Sequence, residues 1–270
     1  MGKNVSPGTA LITGGSSGIG YAIARELAGR GYKLILVSNQ EERLREVCDE
    51  FITKFAIEAR PVFMDLSAHD AAINLYNWCH KEHLEIDVLV NNAGVFFFGE
   101  VVETAVEKIQ RMISLHVYTT ASLCTLFGMD MKQRRSGHIL NISSLAAYMP
   151  YPGIACYNST KSFLKNFSRS LRTEMIDYHV NVTCICPGAV STELYNLNDR
   201  DRKTALKTGI MMRPEKLARK IVNALFKKKA TYIPGFLNKI SLFFIWLVPH
   251  WLVVLVRRHS RFLPPDKQEN

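Results

Sequence analysis

The sequence lacks the cysteine and histidine spacings that mark metal-binding or disulfide-rich proteins. Its six cysteines include no CxxC pair and no histidine partner at zinc-finger spacing, so the sequence implies neither a structural zinc site nor a disulfide framework. We therefore expect reduced thiols and no bound metal. Cys184 and Cys186 alternate within an apolar run, so on a strand they would point the same way as small core residues.

The chain also has no apolar signal core before its first predicted strand, so we expect a cytoplasmic protein. Apolar residues make up 47% and charged residues 21%, close to folded soluble proteins, which disfavours general disorder and a polytopic membrane protein. The basic clusters are not interleaved with aromatic residues, so we expect no nucleic-acid partner. The net charge of +10 favours phosphate-bearing ligands or anionic lipid headgroups.

Short β-branched runs alternate with longer stretches of helical period through most of the chain. The runs are TALIT, KLILVS, PVFMD, DVLVN, GHILNIS and VNVTCIC, and the helical stretches lie near residues 18–30, 41–57, 68–83, 103–133 and 154–178. This alternation is typical of βα units that build a parallel sheet. The predicted fold class is therefore α/β, with one doubly wound domain and a parallel sheet of about seven strands. A polar, irregular stretch at 191–213 predicts a mobile loop.

The composition changes after Pro234. Residues 236–256, FLNKISLFFIWLVPHWLVVLV, are almost wholly apolar and are followed by Arg257, Arg258 and Arg261. A single membrane-spanning helix is disfavoured because Pro249 and His250 divide the stretch into halves that are too short. Two interpretations stay open. The stretch is a buried substrate-side or subunit-contact element, or residues 236–261 contact a membrane surface peripherally through apolar and basic side chains.

A glycine-rich motif follows the first strand. TGGSSGIG occupies residues 13–20 and leads directly into a helical pattern. Gly14 permits a tight turn, Gly18 lets the backbone approach a pyrophosphate, and Gly20 allows close packing of helix on strand. The helix N-terminus then faces the phosphates. The motif predicts a dinucleotide site.

Together with NNAG at residues 91–94, this motif resembles the short-chain dehydrogenase/reductase family over roughly residues 8–235. The resemblance implies a Rossmann-type dinucleotide-binding catalytic domain at 1–235 and an apolar, then basic, extension at 236–270. It also implies that NNAG stabilises the central sheet and lines the adenine-ribose side. Asp65 matches the residue that contacts adenine, although it is also well placed to cap the chain before Leu66 and Ser67.

The choice of cofactor is read at the end of the second strand, where a carboxylate would bind a free ribose 2′-hydroxyl and repel a 2′-phosphate. This chain has the neutral residues Ser38, Asn39 and Gln40 there. Ser16, Ser17 and Arg43 are close enough in sequence to help hold a phosphate. The pattern favours NADP(H) over NAD(H), although family members with that preference often carry Arg or Lys where Asn39 stands.

Tyr157 and Lys161 are four residues apart, which places both on one face of a helix. A phenol has an ordinary pKa near about 10, and a neighbouring ammonium favours its phenolate. Ser144 precedes Tyr157 by thirteen residues, the separation that the family uses. The resemblance implies that Ser144 holds the substrate oxygen and Tyr157 donates a proton to it. Lys161 would lower the pKa of the tyrosine and bind the nicotinamide ribose.

The resemblance also implies that Pro187, Gly188 and Thr192 flank the nicotinamide. The predicted cofactor-binding residues are Thr13, Gly14, Ser16, Ser17, Gly18, Ile19, Gly20, Ser38, Asn39, Asp65, Leu66, Asn92, Ala93, Gly94, Tyr157, Lys161, Pro187, Gly188 and Thr192. One position departs from the family. Where an asparagine usually holds a proton-relaying water, this chain has His116, grouped here with the catalytic residues. His116 could hold the water, titrate near neutral pH, or serve as a structural hydrogen-bonding residue.

The apolar extension and the segment IPGFLN at residues 233–238 are similar to a subgroup with long-chain 3-oxoacyl reductases and 17β-hydroxysteroid dehydrogenases. We therefore expect an NADPH-dependent reductase of a hydrophobic ketone, a 3-oxoacyl or keto-sphingoid lipid. The alternatives are a hydroxysteroid or other alicyclic ketone and, in a different class, a catalytically idle NADP(H)-binding redox sensor. The family also implies a homodimer or homotetramer, paired through the long helices near 103–133 and 154–178.

Overall fold

The computed structural model describes residues 7–149, 151–192, 203, 206–208 and 211–259. Much of the predicted loop at 191–213 and the basic residue Arg261 lie outside these residues. Within them the predicted α/β class is confirmed, and all strand pairings are parallel.

The central sheet has seven strands among the described residues, in the order β3-β2-β1-β4-β5-β6-β7. The strands are β1 (Thr9–Thr13), β2 (Lys33–Ser38), β3 (Ala59–Phe63), β4 (Val88–Asn91), β5 (Gly137–Ile142), β6 (Val180–Ile185) and β7 (Thr231–Tyr232). The order reverses between β1 and β4, and at such a switch point the loops after the strands separate and leave a crevice. The predicted dinucleotide motif and NNAG are the loops that flank it.

The helices cover both faces of the sheet. They are α1 (Gly18–Ala28), α2 (Glu41–Phe55), α3 (Ala71–Lys81), α4 (Val106–Ile113), α5 (Thr120–Arg134), α6 (Ala155–Met175), α7 (Pro214–Phe226), α8 (Phe236–Leu247) and α9 (His250–His259). Ala10 and Ile12 of β1 pack toward α1, α2 and α7, whereas Leu11 packs toward α3 and α5. This alternation follows from the two-residue period of a strand, and it gives the molecule two apolar cores.

A π-helical turn at Ser114–Thr119 joins α4 to α5 into one long helix. In the described part of the chain, Val106–Arg134 is the one helix long and apolar enough to cross a membrane. Half of its most apolar window is buried inside the protein, however, and Leu123, Phe127 and Met131 belong to the second core. This helix is therefore part of the domain core.

The predicted C-terminal helical extension is present as α8 and α9, which are separated at Val248 and Pro249. All six cysteines are free thiols, as expected. The sulfur atoms of Cys184 and Cys186 are 4.0 Å apart and buried on one side of β6 and its continuation.

Candidate active site

The turn after β1 has the backbone that its glycines allow. Gly14 has φ +66°, in the left-handed region that favours glycine. A side chain at Gly20 would collide with the carbonyl oxygen of Gly14. The turn therefore folds tightly back on the first turn of α1, and the first backbone N–H groups of that helix are presented at the end of the sheet.

The NNAG segment is hydrogen-bonded to this turn. The side-chain amide of Asn92 donates to the carbonyl oxygens of Thr13 (3.0 Å) and Gly14 (3.2 Å). In return, the Thr13 hydroxyl accepts from the backbone N–H groups of Asn92 (2.9 Å) and Ala93 (3.0 Å). Asn91 instead donates to Asn141 of the neighbouring strand at 2.8 Å. These bonds fix the two loops that flank the crevice relative to each other.

A cavity of about 280 Å³ occupies the crevice. All of the predicted site residues line it except Thr13 and Gly20, which lie behind its wall. Gln40, named from the sequence as a neutral residue at the end of the second strand, also lines it. The residues in the wall that sequence reasoning missed are Val37, Met64, Val95, Arg111, Leu115, Ile142, Ser143 and Val190. Several of these are neighbours of motif residues, but Arg111 and Leu115 come from the long α4–α5 helix, and no local pattern distinguishes them.

At one end of the cavity, neutral side chains form a small network. The Ser16 hydroxyl donates to Gln40 Oε1 and accepts from the Ser38 hydroxyl, both at 2.9 Å. Asn39 is exposed beside them. The guanidinium of Arg43, expected near a phosphate, instead pairs with Glu46 at 2.9 Å on the surface.

Asp65 lines the same end of the cavity, and its carboxylate already has partners. Its Oδ1 accepts from the backbone N–H (2.9 Å) and the hydroxyl (2.7 Å) of Ser67. The bond from the Ser67 hydroxyl is the largest cause that lowers the pKa of Asp65, followed by the bond from the Ser67 N–H. The charge of the nearby Arg111 guanidinium lowers it further by a smaller amount. The carboxylate therefore caps the loop after β3, while its contact with adenine stays a prediction.

Ser144, Tyr157 and Lys161 line the other end of the cavity. Ser144 follows β5, and its Oγ accepts from the backbone N–H of Ala146 at 3.1 Å. Lys161 Nζ lies 5.6 Å from the centre of the Tyr157 ring and donates to the Ile142 carbonyl at 3.1 Å. Burial lowers the pKa of Lys161 to about 8. The Phe96 ring meets the Tyr157 ring edge-on, with ring centres 4.9 Å apart.

His116 is fully buried in the π-helical turn. Its Nε2 accepts from the Val95 backbone N–H at 3.0 Å, and its Nδ1 lies 2.9 Å from the Thr160 hydroxyl. Because that hydroxyl donates its own hydrogen to the Tyr157 carbonyl, we assign Nδ1 as the donor to it. Burial, followed by the charge of Lys161, holds the pKa of His116 well below its usual value. Both ring nitrogens are thus bonded to protein groups, which favours the structural interpretation.

The segment after β6 completes the wall. The Pro187 carbonyl accepts from the Leu145 backbone N–H at 2.7 Å. A side chain on Gly188 would approach the Asn238 side chain to 2.6 Å, so the first turn of α8 packs directly on this segment. Thr192, at the end of the described segment, lies against Gly18.

Comparison with known proteins agrees with this architecture. The family model for short chain dehydrogenase matches residues 8–203. The chain is 35% identical to the mouse (Mus musculus) very-long-chain 3-oxoacyl-CoA reductase over 190 residues, 68% of this chain and 60% of the relative. It is 32% identical to an uncharacterized oxidoreductase of Myxococcus xanthus, over 71% of this chain and 75% of the relative. The chain thus spans about 60% of the length of the mammalian relative.

The fold recurs in solved structures. L-sorbose reductase of Gluconobacter frateurii, solved with NADPH and L-sorbose, is 30% identical with a TM-score of 0.76, covering 86% of this chain and 97% of the other. A 7β-hydroxysteroid dehydrogenase has a TM-score of 0.83 at 24% identity, covers 96% of this chain and 99% of the other, and shows the fold alone. From the family match and these likenesses, the chain belongs to the short-chain dehydrogenase family.

Proposed function

We propose that this protein is an NADP(H)-dependent carbonyl reductase and alcohol dehydrogenase acting on a hydrophobic ketone. The observation that carries the proposal is the arrangement of one cavity, with a glycine-turn cradle at one end and Ser144, Tyr157 and Lys161 at the other. Such a cavity holds a long two-ended ligand and brings one end of it to a proton donor.

The described residues fit a dinucleotide. The N–H groups of Gly14 and Gly15 donate to the Val37 carbonyl and hold the turn against β2, while the first N–H groups of α1, from Gly18 onward, are available where phosphates are stabilised. Side chains at Gly14 and Gly20 would fill or distort this cradle. When bound, the dinucleotide supplies the hydride for reduction of the ketone and takes it up in the reverse direction.

Side chains of the protein bind the oxygen of the substrate carbonyl and supply the proton that it takes up. Because Ser144 Oγ accepts from Ala146 N, its hydroxyl hydrogen is directed elsewhere and can donate to the substrate oxygen. Tyr157 donates the proton that completes the alcohol, and its phenolate is stabilised by the ammonium of Lys161. A pKa of about 8 keeps most Lys161 side chains charged at neutral pH.

The preference for NADP(H) rests on the end of β2. Ser16, Ser38 and Gln40 present neutral hydrogen-bonding groups to the cavity, and no carboxylate of the strand end repels a 2′-phosphate. Arg43 would reach that phosphate only by leaving Glu46. The L-sorbose reductase structure, which contains NADPH, supports the same assignment.

The substrate class is a long-chain 3-oxoacyl or keto-sphingoid lipid. The names of the mammalian relatives support the 3-oxoacyl group, and Phe96 and Phe98 supply an aromatic wall beside Tyr157. Neither the steroid alternative nor the idle sensor gains comparable support.

We place the protein in the cytoplasm, as a homodimer or homotetramer that pairs through α4–α5 and α6. The exposed side chains of Ile113 and Phe163 on those helices support this pairing.

The decisive experiment measures oxidation of NADPH and NADH by the detergent-solubilised full chain with long-chain 3-oxo lipids, steroids and small ketones. We expect NADPH turnover selective for the long-chain substrates. Tyr157→Phe should lower kcat by about 10²-fold or more while NADPH binding persists, because only the proton donor is removed. Equal turnover in the variant would refute the role of Tyr157, and NADPH binding without turnover on any substrate would favour the sensor.

A further inference from the structure

Helix α8 presents its apolar side chains to solvent. Phe236, Ile240, Phe243 and Phe244 follow helical spacing, and their exposed fractions are 77%, 39%, 66% and 60%. We call these four residues the apolar stripe. On the opposite side, Asn238 packs on Gly188 of the domain, and Ser241, Leu242 and Ile245 are half-buried at the same helical spacing. A surface helix of a soluble protein ordinarily keeps its large apolar side chains inward, so the exposed stripe is an unpartnered apolar face.

Helix α9 also exposes apolar side chains to solvent. Trp251 and Leu255, one turn apart, are 66% and 45% exposed, and Val248 between the helices is 41% exposed. Isolated apolar side chains on a surface are ordinary, but a contiguous group of this size marks a contact with another apolar phase. The phase must be one that a short segment can enter, because α8 and α9 are each too short to cross a bilayer.

The charge of this region indicates which phase it is. Between Lys216 and Pro265 the sequence has ten Lys and Arg residues and no Asp or Glu. The remainder of the chain is balanced, with 24 basic and 24 acidic residues, so this stretch carries the entire net charge of +10. Lys239 is exposed on α8, and Arg257 and Arg258 lie in the last turn of α9. Four of the ten basic residues belong to residues 236–261, which contain no acidic residue, and the other six lie just before them, so the charge of the extension complements an anionic surface.

The position of α8 connects this surface to the cavity. Asn238, in the first turn of α8, packs on Gly188 of the cavity wall, and its side-chain amide donates to the Pro234 carbonyl at 2.7 Å. The helix therefore begins at the end of the cavity where Ser144 and Tyr157 lie.

We propose that α8 and α9 dock the protein on an anionic lipid bilayer. The apolar stripe and Trp251 enter the boundary between headgroups and acyl chains, while the exposed Lys239 meets the headgroups and the basic sequence at the end of α9 adds to the attraction. The docking rests on the surface alone and holds whatever the reaction proves to be. If the proposed function is also correct, the bilayer is the source of its apolar ketone.

The test is flotation of the full chain with vesicles of phosphatidylcholine alone or with about one quarter phosphatidylglycerol. We expect binding to the anionic vesicles, at least about tenfold weaker binding to neutral ones, and weakening as salt rises toward about 1 M. Phe243→Ser with Phe244→Ser should weaken binding about tenfold or more, because two rings no longer leave water. Lys239→Glu should weaken binding to anionic vesicles alone.

Matched controls are Ile73→Ser on α3 and Met129→Ser on α5, which alter side chains of similar exposure, 49% and 54%, away from the extension. These variants should bind as the wild type does. Unfolding midpoints check that all variants are folded. Equal flotation of wild type and the double Phe variant would overturn the proposal. So would loss of an oligomer in the double variant without any vesicle binding by the wild type, since the surface would then contact a second copy of the chain.

Discussion

At the scale of single residues, His116 occupies a position where the family usually has an asparagine, and its ring forms hydrogen bonds that hold two neighbouring segments together. The ring bridges the loop after β4, through the Val95 N–H, and helix α6, through Thr160. The same Thr160 hydroxyl donates to the carbonyl of Tyr157. The departure from the family pattern could be read from the sequence. Its hydrogen-bond partners could not, because Val95 and Thr160 are 21 and 44 residues away.

We predict that His116→Asn and Thr160→Val each lower kcat about tenfold, and that the double variant loses little more, because both break one bridge. The pH profile of kcat should keep the shape of the wild-type curve, since a neutral ring bonded at both nitrogens does not titrate in the working range. Steady-state kinetics from about pH 6 to 9 test this. A titration step that disappears in His116→Asn would instead indicate a proton relay.

The burial of the charged Lys161 side chain lowers the free energy of unfolding of the protein. Its pKa is lowered to about 8 by burial, from 10.5. Below pH 8 the ammonium is charged in both the folded and the unfolded state, so the full penalty applies. As pH rises from about 8 to about 10.5 the folded state loses its proton first, and the penalty is relieved.

We therefore predict that Lys161→Met abolishes turnover but raises the free energy of unfolding at pH 7 by about 1–3 kcal/mol. The gain should shrink as pH rises through 8 toward 10. Urea unfolding of the two proteins across that range measures the difference. A variant less stable than the wild type at pH 7 would show that the bond to Ile142 outweighs the burial cost.

At the scale of elements, the strands and helices could be predicted closely, because the β-branched runs and helical stretches alternate without interruption. The predicted helix near 41–57 is Glu41–Phe55, and the one near 154–178 is Ala155–Met175 with a short continuation. The stretch near 103–133 differs, since a π turn interrupts it at Ser114–Thr119. Helical periodicity does not reveal one extra residue in a turn, and this turn contains the buried His116.

The junction of β1 and α1 provides an element-scale prediction. Gly20→Ala should reduce NADPH binding and destabilise the fold by about 2 kcal/mol or more, because its methyl group would displace the Gly14 carbonyl. Gly29→Ala, at the other end of α1, is the matched control. There φ is −63° and the nearest atom is 3.5 Å away, so no loss is expected. Thermal unfolding and NADPH titration of both variants decide the matter; equal behaviour would contradict close packing at Gly20.

At the scale of the whole molecule, the fold class followed from the order of elements, and the sequence motifs marked most of the cavity wall. The exposure of α8 did not follow. An apolar composition suits a buried helix and a surface-inserted helix equally, and only the packing of Asn238 on Gly188, with the exposure of Phe243 and Phe244, shows which side faces inward. The sequence therefore left both interpretations of residues 236–261 open.

Acid stability is a property of the whole chain. Burial comes first among the causes that lower the pKa values of His116 and His138. A lowered folded-state pKa means that the unfolded chain gains protons first, so stability is full above about pH 6.5 and falls as pH drops below it. We predict that His138→Gln reduces this fall by up to about 1 kcal/mol per pH unit. Replacing the 82% exposed His69 should not. Denaturant titrations between about pH 7 and 5 compare the slopes, and equal slopes would contradict the prediction.

The strand order has a consequence for biosynthesis. The cavity wall draws on residues from Gly14 to Thr192, and β1 pairs with both β2 and β4. At ordinary translation rates the ribosome needs roughly ten to forty seconds to make the whole span of that wall, from its first residue to its last. For most of that time the glycine turn has no catalytic partner. A nascent chain halted before β5 would lack Ser144, Tyr157 and Lys161, and the apolar helices α8 and α9 would emerge after the catalytic residues.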